Sequence, residues 1–184
     1  MIYIFCAPSG SGKSTMVKHL LTKYPDLFEL SVSCTTRPPR GQEVHGREYY
    51  FISVDEFKER IQKEDFIEYE QVYEGLYYGT LKEEIARIEK AGRQVLFDVD
   101  VKGGINLKRI LGDRATSIFI CPPSIDELRR RLVGRGDTSE EMIEKRLAKA
   151  ELEMSYKPQF DRVVINDTLD HAFAQLDAII GEGL

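Results

Sequence analysis

The chain has 184 residues, enough for one domain with a substantial core and small appended parts. Hydrophobic residues make up 42% and charged residues 31%, the balance of a globular fold and not of a disordered or fibrous chain. Against 26 Lys and Arg stand 31 Asp and Glu, a net charge of −5, which argues against a general binder of nucleic acid or anionic membrane.

In chain order, Ile2–Cys6 reads as a buried strand, followed by a small-residue loop from Ala7 to Gly12. Met16, Val17, Leu20, Leu21 and Tyr24 then recur at helical spacing until Pro25 stops the run. Between about 33 and 80 the composition shifts towards Tyr, Arg and Gly. Short strand patterns at Tyr49–Phe51, Phe66–Val72 and Tyr77–Tyr78 surround a helix over Val54–Gln62, which predicts an inserted antiparallel subdomain. Further buried strands are predicted at Val95–Val99, Thr116–Ile120 and Val163–Ile165. Helices at about 82–91, 102–111, 125–133, 139–155 and 169–180 separate or follow them. Two carry capping boxes, Ser124 with Glu127 and Thr138 with Glu141. Alternating strands and helices predict an α/β fold with a parallel sheet between helices.

Cys6, Cys34 and Cys121 are odd in number and lack metal-ligand spacing, so free thiols in a reducing compartment are expected. No apolar run approaches the roughly 18 residues that span a bilayer. A strand starting at Ile2 leaves no room for a leader. The expected location is the cytoplasm, with no membrane or nucleic-acid partner.

Residues 7–14 read Ala7-Pro8-Ser9-Gly10-Ser11-Gly12-Lys13-Ser14 and match a Walker A phosphate loop everywhere but at Ala7, where the pattern has Gly. Gly10 and Gly12 let backbone N–H groups turn inward around phosphate oxygens, and the helix that follows points its positive end at the anion. Lys13 is expected on the β- and γ-phosphates, and the Ser14 hydroxyl on Mg²⁺. Asp98 ends an apolar strand in the manner of a Walker B acid. It either organises magnesium or holds an acceptor-site arginine.

A second constellation lies at Ser31-Val-Ser-Cys-Thr-Thr-Arg-Pro-Pro-Arg-Gly-Gln-Glu43 and Gly46-Arg-Glu-Tyr-Tyr-Phe51. It closely resembles the GMP-binding region of guanylate kinases. The resemblance continues through Phe66-Ile-Glu68, Tyr77-Tyr-Gly-Thr80, Asp98-Val-Asp100 and the arginine-rich stretch 125–149, essentially the whole chain. It implies a P-loop NTPase three-layer sandwich with a parallel five-stranded core sheet (1–32, 81–124 and 150–184). A small α+β GMP-binding subdomain (about 33–80) and a short helical lid (about 125–149) are inserted into it. The implied reaction is Mg²⁺-dependent transfer of the γ-phosphoryl group of ATP to GMP, extending to dGMP.

On the residues' own terms, Arg37 and Arg40 sit three apart in a Pro-stiffened segment, so both guanidiniums can converge on one phosphate. Tyr49 and Tyr78 offer hydroxyls, and by the resemblance these four hold the GMP phosphate. Guanine presents donors at N1 and its amine, which a carboxylate accepts and adenine cannot supply. Glu68 and Asp100 are the candidates, with Ser33 and Thr80 as neutral partners. The resemblance places Glu43 near base and ribose, Asp98 among the acceptor-site residues, and Asn166 near adenine, where a turn cap is the alternative. It makes Arg131, Arg135 and Arg146 a lid over the transferring group and Thr15 part of the ATP site. Lys102 stands where the family usually has Gln. Two rivals are a P-loop kinase for another nucleotide, which should lack Glu68 and Asp100, and a non-catalytic protein-binding module of guanylate kinase type. Oligomeric state is left open by the sequence.

Overall fold

The computed structural model describes residues 1–134 and 139–183. A five-stranded sheet runs in the order β2-β7-β1-β8-β9, built from β1 (Ile2–Cys6), β2 (Phe28–Leu30), β7 (Gln94–Asp98), β8 (Ala115–Cys121) and β9 (Arg162–Ile165). β1 pairs in parallel with β8, and β8 with β9. Every residue of β1 is buried, which is why its apolar run is unbroken: a central parallel strand is covered on both faces. Strand β2 escaped the periodicity because it is three residues long with Glu29 at its centre. The covering helices are α1 (Lys13–Lys23), α4 (Val101–Leu111) and α7 (Leu169–Gly181). α1 packs on β1 and on α7, α4 packs on β1 and β8, and α7 packs on β9. α5 (Ile125–Gly134) and α6 (Glu140–Ser155) pack on each other through Leu128, Leu132, Ile143, Leu147 and Ala150. Ser124 caps α5 by accepting the Glu127 N–H at 3.1 Å. The box expected at Thr138 falls outside the described residues, and α6 is capped instead by Ser139.

Contacts divide the chain into two compact units, Met1–Phe28 with Leu96–Leu184, and Glu29–Val95. The second is wider than the 33–80 stretch marked by composition, because it takes in α3 (Lys82–Lys90). Its sheet runs β4-β3-β6-β5, from β3 (Ser33–Thr35), β4 (Tyr49–Phe51), β5 (Phe66–Tyr73) and β6 (Leu76–Leu81). The expected antiparallel sheet is in fact mixed: β3 and β4 pair in parallel, while β6 runs antiparallel to both β3 and β5. The chain from 36 to 48 makes the return crossing that a parallel pair needs and a hairpin does not.

Period-two alternation sorts the two faces of this sheet. Cys34, Tyr77 and Leu81 point into a core with Phe57 of α2 (Val54–Gln62), whose ring stacks on Phe66 at 4.3 Å and Tyr77 at 5.0 Å. Ser33, Tyr49, Tyr78 and Thr80 fall on alternate positions and are left for the other face, and a register shift after Phe66 sets Glu68 opposite Thr80 with them.

Beneath the core face lies Glu84, 2% exposed. It accepts the Val32 N–H, the Tyr50 hydroxyl and two N–H groups of Arg87, all at 3.0 Å. Burial pushes its carboxyl up, but Arg87, Val32 and Tyr50 outweigh that and hold it below the ordinary range. Glu84→Gln should therefore cost about 1–3 kcal/mol in urea unfolding at neutral pH. A depressed folded pKa gives stability that is full above the unfolded value and lost as pH falls. The gap between wild type and variant should accordingly close in acid, and a gap that stays constant with pH would contradict the role.

Candidate active site

The phosphate loop leaves the carboxyl end of the central strand β1, the place where open α/β sheets bind ligands. Gly10 and Gly12 hold φ of +85° and +94°, a region that side chains disfavour. A Cβ at Gly12 would also collide with Nδ2 of Asn166. The helix that follows begins unlike the others. Among the described α-helices, α1 is the one with neither a side-chain cap nor an acid in its first turn. Its orphan N–H groups and dipole thus remain for an anion. Residues 7–15 line a cavity of about 430 Å³ together with Asp100, Lys149 and Glu153.

Lys13 is anchored by two oxygens from the end of β7. Its Nζ lies 2.7 Å from Asp98 Oδ1 and donates to the Val99 carbonyl at 2.7 Å. Asp98 was expected to serve magnesium or an arginine; its Oδ1 is placed on the phosphate-loop lysine. Asp100 lines the same cavity and caps α4, accepting the Gly103 N–H at 2.7 Å. Lys149 and Glu153 escaped the sequence reading. They are one turn apart on α6 beside its core stripe, a spacing that signals only a surface pair, and nothing local shows that they face the loop. Burial pushes the Glu153 carboxyl up.

Asn166 braces the loop. At the end of β9 its Nδ2 donates to the Ser11 carbonyl at 2.9 Å, and its N–H to the Cys121 carbonyl at 2.8 Å. Its own carbonyl accepts Nη2 of Arg131 at 2.8 Å, whose Nε is held by Glu127 at 2.9 Å. Arg131 is therefore tied to the loop's support, and Arg146 is half-buried on α6. Arg135 lies outside the described residues.

In the second unit, the strand register brings the acceptor candidates together. Ser33 is opposite Tyr49, and Glu68 opposite Thr80, whose hydroxyl donates to Glu68 Oε1 at 2.8 Å. The Tyr49 and Tyr78 rings meet at 5.9 Å, and Arg37 lies over the Tyr49 ring at 4.9 Å with its Nε donating to the Tyr78 hydroxyl at 3.2 Å. Glu43 grips Arg37 with both oxygens, at 2.6 and 2.8 Å, and accepts the Arg40 N–H at 2.8 Å. Arg37, then the Arg40 N–H, hold the Glu43 carboxyl down to about 2. Cys6, Cys34 and Cys121 are all free and buried. No helix among the described residues is long and apolar enough to cross a membrane.

Comparison with known proteins points to one family. The family model for guanylate kinase matches residues 1–182. A guanylate kinase of Bacteroides fragilis is 54% identical over 183 residues, covering 100% of this chain and 89% of its own. One of Escherichia coli K12 is 46% identical, covering 97% and 86%. The crystal structure of guanylate kinase from Anaplasma phagocytophilum superposes with a TM-score of 0.68 at 26% identity, covering 100% of this chain and 85% of that one.

The brace has a measurable consequence. Asn166→Ala removes a buried hydrogen bond worth about 1–2 kcal/mol, a drop in Tm of roughly 2–8 °C for a chain of this size. Gly12→Ala should cost less in the Asn166→Ala background than in wild type, because the collision is gone and only the backbone strain remains. Strict additivity in thermal melts would refute the contact.

Proposed function

This chain belongs to the guanylate kinase family, and we propose that it carries out ATP-to-GMP phosphoryl transfer through the phosphate loop of its first unit and the polar sheet face of its second. The observation that carries the proposal is the anchored Lys13 at the uncapped start of α1, since a lysine fixed there meets phosphate oxygens without searching for them. The loop N–H groups and Lys13 hold the donor triphosphate. Arg131 and Arg146, with Arg135, neutralise the transferring group and exclude water, the competing acceptor. Asn166 contributes through the loop and Arg131, the contacts it makes.

On the acceptor side, Arg40, Arg37, Tyr49 and Tyr78 take the GMP phosphate. The Glu68 carboxylate, aimed by Thr80, accepts from guanine, with Ser33 as a neutral partner and Asp100 as the second candidate acid. The GMP phosphate is already an anionic nucleophile at neutral pH, so positioning and charge neutralisation suffice and no strong general base is required.

Magnesium fits the donor set. The Ser14 hydroxyl and the Asp98 carboxylate are hard oxygens beside the loop. An Mg²⁺ ion taken with a nucleotide needs only one or two protein oxygens beside the phosphates and water. Ser14 and Asp98 would hold it, and the ion would supply charge to the β- and γ-oxygens.

The test is ADP release with ATP, Mg²⁺ and each of GMP, AMP, CMP and UMP. Turnover should be confined to GMP and abolished by EDTA. Lys13→Met should lower kcat by two or more orders of magnitude with an unchanged melt, by analogy with other lost transition-state charges; near-normal kcat would overturn the loop's role. Glu68→Gln should cost GMP selectivity, and turnover with AMP in wild type would overturn the base reading.

A further inference from the structure

Arg37 is expected to offer its planar fork to the acceptor phosphate, and the geometry does not leave it free to do so. A guanidinium has five N–H groups. In Arg37, Nε donates to Tyr78, Nη1 to both Glu43 and the Pro38 carbonyl at 3.0 Å, and Nη2 to Glu43. Four are committed inside the protein, and one N–H on Nη2 remains. The plane is covered as well, with the Tyr49 ring at 4.9 Å and the Phe51 ring at 5.7 Å. Its side chain is 9% exposed.

Glu43 reaches further than Arg37. The oxygen that takes Nη1 also accepts the Arg40 N–H, and the Glu43 N–H donates to the Arg40 carbonyl at 3.0 Å. This closes the turn from 40 to 43 and fixes the direction in which the Arg40 side chain leaves the backbone. That side chain is exposed, and its guanidinium makes no hydrogen bond or ion pair among the described residues. The carboxylate itself accepts three hydrogen bonds, two of them from a cation, which leaves it little capacity for a sugar hydroxyl.

We infer that Glu43 is a positioning residue for the acceptor phosphate, clamping Arg37 and aiming the unclaimed fork of Arg40, and not a ligand of base or ribose. Arg37 then serves the phosphate with a single N–H and with its hold on the Tyr78 hydroxyl, and Arg40 supplies the bidentate contact. The inference rests on the acceptor reading of this sheet face.

Calorimetric titration of GMP, dGMP and guanosine into wild type, Glu43→Gln and Glu43→Asp separates the roles. Glu43→Gln replaces one acceptor oxygen with an amide that opposes the arginine donors. It should weaken GMP and dGMP alike by about tenfold while guanosine binds within about twofold of wild type. Glu43→Asp should recover part of the loss, and KM for GMP should rise more than kcat falls. An equal loss for guanosine, or a loss for GMP that vanishes with dGMP, would assign Glu43 to base or ribose and overturn the inference. Tighter GMP binding would make Glu43 a competitor of the phosphate and overturn it too. Retained guanosine affinity in Glu43→Gln excludes misfolding, and Glu43→Asp carries the comparison if that variant fails to fold. Wild type that binds GMP no better than guanosine would defeat the acceptor reading itself, before any variant is made.

Discussion

The tie between Lys13 and the end of β7 is the constraint on which the candidate active site depends. A lysine side chain carries about 2 kcal/mol of rotamer entropy, so an unanchored one at a phosphate loop would spend binding energy on being ordered. Asp98 and the Val99 carbonyl order it in advance, from a strand adjacent to the one that launches the loop. The position of the charge is thereby set by the parallel sheet. Around it, the uncapped start of α1 and the two left-handed glycines turn backbone dipoles to the same point.

An acidic chain that handles polyanions meets its charge problem locally. Lys13 has Asp98, Arg37 has Glu43, and Arg131 has Glu127. Each pairing cancels part of the cation's field at long range while fixing its direction at short range. Among the described residues, Arg40 and Arg146 stand outside this scheme. The division gives two classes of cation, those oriented by a resident carboxylate and those, such as the exposed Arg40, with none.

Much of this was legible in the sequence where local patterns decide the outcome. The buried run of β1, the helical spacing of α1 and the Gly-Lys-Ser of the loop are local, and they carried the fold class and the candidate phosphate loop. Phe28–Leu30 was not legible, because three residues with one acid carry no periodicity and only its neighbour β7 makes it a strand. The parallel pairing of β3 with β4 was hidden for a related reason, since strand direction depends on the path of the chain between them. Glu84 and the Lys149–Glu153 pair read as ordinary helix-surface residues. What distinguishes them is what they face, across gaps that spacing does not record. The grip of Glu43 on Arg37 is six residues away in sequence, yet its meaning lies in a count of N–H groups and not in a motif.

The bond from Asn166 to Ser11 joins residues 155 positions apart. It has a consequence for how the molecule is made. The loop leaves the ribosome well before its brace, which follows 155 residues later. β1 must also wait for β8, and β8 for β9, before the strand beneath the loop is enclosed. Synthesis at about 5–20 residues per second puts roughly 8–30 seconds between the two partners. Throughout that interval the nascent chain carries the loop sequence without the hydrogen bond that braces it, which forms only once β9 has been made.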